Sequence, residues 1–227
     1  EDRGTPAERA PASWSPREDT PTRLILVRHG RTAYTAERRY SGRGDVPLSD
    51  VGLAEVAAAA DRVGRLVASA PDRVAVVVTS PLVRCAATAE AIARRLGDVP
   101  VRIEKDLVEC DFGEWDGLTF AEVSDRYPEQ LARWLESTAV APPGGESFRS
   151  VTVRVRRVAA AIRSAYQGQT LVMVSHVSPI KVLLRDALAA DDAFLYRMHL
   201  DPAGISVVDT WPDGGVSVRT VNDTSHL

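Results

Sequence analysis

The chain has 227 residues, 44% of them hydrophobic and 26% charged, with a formal net charge of −3. That suffices for one full globular core, and interspersed charge with a slight acidic excess gives no electrostatic case for nucleic acid as the main partner. No run is long enough to span a membrane, and no secretory apolar segment or initiating Met opens the chain, so it reads as a fragment or processed form without a membrane partner. Cys85 and Cys110 show neither CxxC nor metal-ligand spacing and are expected to be free, buried thiols near the functional residues, in a reducing cytoplasmic setting.

Residues 1–22 are rich in Pro, Ser, Thr and charge, lack an apolar period, and read as a linker or disordered lead. From residue 23 the pattern alternates. Residues 24–27 form an apolar strand, 52–70 an Ala-rich helix, 74–78 a second buried strand, 80–96 a helix and 99–103 a short strand. A long helix is predicted over 147–166, opened by Ser147 and preceded by Gly144-Gly145. Residues 171–174 form another strand, and 179–190 a helix with Pro near its first turn. Two closing strands, 205–209 and 216–221, flank a Pro-Asp-Gly-Gly turn at 212–215 and would make an antiparallel hairpin at one edge. Alternating strands and helices predict a layered α/β domain around a mostly parallel sheet. The stretch 113–145 breaks the rhythm and reads as an insertion over the carboxyl edge of the sheet. Its Trp115, Phe120, Tyr127 and Trp134 either shape a pocket or, taken singly, only pack the insertion onto the body.

Four segments place a polar group just beyond an apolar run: Arg28 and His29 after the first strand, Arg84 after 74–78, Glu109 after Ile103 and Leu107, and His176 after 171–174. In a parallel sheet these tips converge on the carboxyl edge, where α/β folds bind ligands. Arg offers a rigid fork for phosphate oxygens, a neutral imidazole can attack phosphorus, and Gly30 allows close backbone approach. Two Arg, two His and one Glu in one cleft suit phosphoryl transfer. For His29 to attack, one ring nitrogen must stay unprotonated, so the other is expected to donate to a carbonyl or carboxylate, with nearby Arg charge opposing imidazolium. Arg31, Arg38, Arg39 and Arg43 form either a basic rim for anionic substrates or a solvated face. Lys181 and Arg185, one helical turn apart, read as a solvated face, and His199 and His226 as packing or surface residues.

The segments LVRHGRT (26–32), SGRGDVPLSDVG (41–52), SPLVRCAATA (80–89), LVECDFGEWDGLTF (107–120), PPGGES (142–147) and VSHVSPIKVLLRDAL (174–188) resemble the phosphoglycerate-mutase-like branch of the histidine phosphatase superfamily. A finer likeness, including LYRMHLD (195–201), is to the C-terminal acid phosphatase domain of bifunctional ribonuclease H/acid phosphatase proteins, which relate in turn to α-ribazole phosphatases. The resemblance implies a three-layer α/β/α sandwich over 23–227, with 113–146 as a lid-like insertion, and a ribonuclease H domain upstream of the lead. It implies that His29 is the nucleophile, that Arg28 and Arg84 grip the phosphoryl group, and that His176 hydrogen-bonds it. Glu109 would protonate the leaving alkoxide and then deprotonate water. The amide of Val177 would add a donor, with Ser41 and Gly42 lining the pocket. Thr35 stands where the family usually has a phosphate-contacting Asn. No metal or cofactor is implied. The expected activity is hydrolysis of a small organic phosphate monoester through phosphohistidine, with α-ribazole 5′-phosphate as one candidate. A phosphoglycerate mutase is the alternative, disfavoured by the short span from Trp115 to Gly145, and a non-catalytic phospholigand-binding module is the alternative of another class. An oligomer is compatible with either.

Overall fold

The computed structural model describes residues 19–68 and 73–227. Six strands form one sheet in the order β3-β2-β4-β1-β5-β6: β1 (Thr22–Arg28), β2 (Val74–Thr79), β3 (Val101–Ile103), β4 (Thr170–Ser175), β5 (Ile205–Thr210) and β6 (Val216–Asp223). The first four run parallel, while β5 is antiparallel to β1 and β6 to β5, giving the expected mostly parallel sheet with an antiparallel edge.

Helices cover both faces. Helices α2 (Asp50–Ala68) and α3 (Val83–Arg95) bury Ala59, Val63, Ala89 and Ile92 against Ile25, Val27, Val77 and Val174. On the other face α6 (Phe148–Ala165) and α7 (Val177–Ala187) bury Val158, Ile162, Ile180 and Leu184 against Leu24, Leu26, Val78 and Met173. Because β1 and β4 are covered on both sides, they read as continuous apolar runs instead of alternating ones. Between β3 and α6 the chain makes α4 (Phe120–Arg126) and α5 (Pro128–Glu136), which pack with the start of α6 around Trp115, Trp134 and Phe148 in a third apolar cluster. Two short helices, α1 (Ala33–Ala36) and α8 (Phe194–Arg197), complete the fold. At four residues each, they are too short to show a helical period in the sequence.

Element boundaries moved for local reasons. Helix α2 begins two residues earlier than expected because the Ser49 hydroxyl accepts from the Gly52 amide, and the end predicted at residue 70 lies outside the described residues. Ser80 precedes a proline and its amide continues the sheet by donating to Val174, and the chain bends at residues 81–82, so α3 starts at Val83. Ser147 caps α6. Helix α7 starts at Val177, and the expected stretch to 190 ends as a turn with Ala189 in the left-handed region. The proposed lead overlaps the fold: Thr22 opens β1 opposite Thr210, and the carbonyl of Asp19 accepts from the Trp211 indole, while residues 1–18 lie outside the described residues.

Candidate active site

The register of the sheet levels the strand tips. Arg28 lies opposite Ser175 and Thr79 opposite Val174, and the amides of His29 and Ser80 donate to the Ser175 and Val174 carbonyls. His29, Ser80 and His176 therefore emerge side by side at the carboxyl edge. Gly30 admits a close approach as expected, but to the protein itself: a Cβ there would collide with the Gly52 carbonyl and Val56 at the start of α2.

His29 is 3% exposed, and its Nδ1 lies 2.7 Å from the Gly30 carbonyl. A carbonyl can only accept, so Nδ1 carries the proton and Nε2 keeps its lone pair. Burial, and then the charges of Arg28 and Arg84, hold the ring well below the ordinary histidine value of 6.5. Arg28 donates to the Leu200 carbonyl at 2.6 Å, and burial pulls its guanidinium down to about 10, so it stays charged at neutral pH.

Glu109 is 4% exposed, and its carboxylate accepts from its neighbour's amide at Cys110 (2.7 Å) and from Ser178 (3.2 Å) in the first turn of α7. A carboxylate there meets the positive end of the helix. Arg28, His29, Thr35, Ser41, Glu109 and Val177 all line one cleft of about 270 Å³. Its outer wall is aromatic, built from Tyr40, Phe112, Trp134, Phe148 and Tyr196.

Arg84 and His176 lie one layer below, fully buried, as the floor. Arg84 donates to the Gly42 and Gly44 carbonyls, each at 2.8 Å. The His176 ring meets His29 edge-on at 5.1 Å, its Nε2 lies 2.7 Å from Ser80 Oγ, and burial pushes it well below 6.5. Gly42 is a support and not a cleft wall: its carbonyl holds Arg84 and its amide donates to Asp116. Thr35 reaches the cleft, but its hydroxyl is shared with Thr32 in a capping box at α1, which limits it as a substitute for an amide side chain.

Both cysteines are free and buried, with Cys85 Sγ 3.4 Å from His176 Nε2. Of the insertion aromatics, Trp134 lines the cleft. Trp115 is wholly buried, Tyr127 lies tilted beside it, and Phe120 is exposed near Arg38 and His199. Of the arginines read as a basic rim or a solvated face, Arg31 pairs with Glu55, Arg43 with Glu146, and Arg39 with Glu37 and Glu122 while lining the cleft. His199 is exposed beside Asp201, and His226 faces the Ala203 carbonyl.

The reading of Lys181 and Arg185 as a solvated face is wrong. α8 folds over α7, so that Lys181 lines the cleft and Arg185 is buried against Asp186 and Asp192. Three supporting residues escaped the sequence reading. Arg154 donates to the carbonyls of Asp106, Val108 and Glu109 and pairs with Glu146. Asp116 accepts from the Gly42 and Gly44 amides that shape the Arg84 cradle. Asp116 and Glu146 fall inside motifs noted above, whereas Arg154 on an amphipathic helix gives no signal.

The model of the histidine phosphatase superfamily (branch 1) matches residues 24–224. The chain belongs to the histidine phosphatase superfamily. A Mycobacterium tuberculosis protein described as bifunctional is 50% identical to this histidine phosphatase domain over 214 residues, 94% of this chain; the chain spans only 57% of that relative's length. Phosphoserine phosphatase 1 of Hydrogenobacter thermophilus is 32% identical over 206 residues, covering 90% of this chain and 94% of that protein. The solved mycobacterial glucosyl-3-phosphoglycerate phosphatase complexed with VO3 superposes with a TM-score of 0.79 at 27% identity, covering 89% of this chain and 100% of that one.

Proposed function

We propose that this domain is a metal-independent phosphomonoesterase working through a phosphohistidine at His29. The observation that carries the reading is the His29 ring, locked by Gly30 with Nε2 unprotonated beside the Arg28 guanidinium and the Glu109 carboxyl. In the first step Nε2 attacks phosphorus, the P–O ester bond breaks, and Glu109 gives its proton to the departing alkoxide. In the second, water attacks phosphorus, the P–N bond breaks, Glu109 takes the proton from water, and inorganic phosphate leaves. Arg28 grips the phosphoryl oxygens, Val177 offers its amide at the start of α7, Arg84 supplies positive potential from below, and the neutral His176 ring orients the group. Because burial and the neighbouring guanidiniums keep the His29 ring neutral into mild acid, we assign an acidic optimum.

The relatives include phosphatases and, at 34% identity over 168 residues, a 2,3-bisphosphoglycerate-dependent phosphoglycerate mutase; the hydrolytic reading is supported by the short span from Trp115 to Gly145. For the whole protein, we propose that the lead joins this domain to a ribonuclease H domain, in keeping with the longer bifunctional relative. Two buried free thiols fit a cytoplasmic setting.

The test is turnover of p-nitrophenyl phosphate by the wild type with and without EDTA, and by His29→Ala. Wild-type turnover should survive EDTA, and His29→Ala should lose at least about a thousandfold in kcat. Turnover retained by His29→Ala would rule out the assigned nucleophile. A screen including α-ribazole 5′-phosphate and 3-phosphoglycerate identifies the substrate, and isomerised instead of hydrolysed 3-phosphoglycerate would mark a mutase.

A further inference from the structure

Among the described residues, the basic side chains that are buried or half-buried fall into two sets. Arg23, Arg39, Arg62, Arg154 and Arg185 are each held by a carboxylate. Arg28, Arg84 and Lys181 have only main-chain carbonyls as hydrogen-bond partners: Leu200, Gly42 with Gly44, and Leu195 at 2.8 Å from Lys181 Nζ. A cation drawn out of water without a counter-anion is costly. Such a cost is tolerated where a ligand supplies the missing charge.

Arg28 lines the cleft where the phosphoryl group is read to bind, and Arg84 lies in the floor beneath it. Lys181 is different: it stands one turn into α7 on the wall of the same cleft, among Trp134, Phe148 and Tyr196. One of its three N–H groups goes to Leu195, which leaves two for a ligand. Glu109 acts on it through space but is not within ion-pair distance, and its carboxylate is engaged by the amides of Cys110 and Ser178.

We propose that Lys181 is a specificity residue that binds a carboxylate on the alcohol portion of the substrate, so that the domain selects carboxylated phosphomonoesters. The inference rests on the phosphomonoesterase reading and deepens it. A single ammonium with two free donors matches a monoanion. A second phosphate dianion would call for the guanidinium pair seen at the first site, and the aromatic wall raises the desolvation cost of a dianion further.

The experiment compares 3-phosphoglycerate with glycerol 3-phosphate, which share a skeleton but differ by carboxylate against hydroxymethyl. The wild type should favour 3-phosphoglycerate in kcat/KM by about ten- to hundredfold, the range for one charge-assisted contact. Lys181→Met keeps the apolar stem and should bring the ratio of the two toward one, mainly by raising KM for 3-phosphoglycerate. Lys181→Arg should restore part of it. Equal losses on both esters with a displaced pH profile would overturn the proposal, since Lys181 would then act on Glu109. An unchanged ratio would overturn it as well.

Calorimetric binding of both esters to His29→Ala and to His29→Ala/Lys181→Met gives a readout free of turnover. If the wild type hydrolyses neither ester nor p-nitrophenyl phosphate while the binding preference persists and needs Lys181, the phosphatase reading fails and this inference stands. Binding without preference defeats the inference alone.

Discussion

Gly30 decides where the His29 proton sits, because its carbonyl can only accept. Burial and two guanidiniums then keep a second proton off the ring well below 6.5. Activity on p-nitrophenyl phosphate should therefore not decline as pH falls from 7.5 to about 6, where a free imidazole would be mostly protonated. A pH profile of kcat checks this, and a midpoint near 6.5 on the acid side would contradict it. His29 and Arg28 were legible because an imidazole and a guanidinium at the tip of an apolar strand have no core role. Lys181 was not, because its spacing from Arg185 is that of any exposed helix face, and only the fold of α8 across α7 turns one into the cleft and the other into carboxylates. Thr35 shows a subtler limit: its position near the phosphoryl site follows from the motif, but its sharing with Thr32 depends on a four-residue helix that leaves no period to read.

At the scale of elements, Glu109 is held from two sides. The first turn of α7 takes its carboxylate, and Arg154 of α6 grips the carbonyls of residues 106, 108 and 109 while closing on Glu146. Arg154→Met should cost about 3 kcal/mol of stability, as expected when one member of a largely buried pair is removed. It should also lower kcat, because the Glu109 backbone loses its anchor. Thermal unfolding together with p-nitrophenyl phosphate kinetics tests both, and a loss of stability with full kcat would show that α7 alone fixes Glu109. The strands and long helices could be placed from apolar periods. The span that builds the aromatic wall could not, because α4 and α5 are short, their capping depends on Thr119 and a proline, and their core is completed by residues from α6, α7 and α8.

For the whole molecule, two histidines buried neutral make stability depend on pH. Their folded values lie below 6.5, so unfolding lets each take up a proton once the pH drops under that value, and the unfolded state gains. Tm should fall between pH 6.5 and about 5, before carboxylates contribute: Asp223, held down to about 2 from 3.8, matters only in stronger acid. His29→Asn should flatten part of that decline, and a Tm constant over this window in the wild type would contradict the account. The levelled tips of β1, β2 and β4 carry one more consequence. Strand side chains alternate between faces, so adding or deleting one residue within β1 or β4 would swing His29 or His176 to the opposite side of the sheet. A change of length that spares the site must therefore fall in the connections, where the spacing between the functional groups can alter without moving their meeting point.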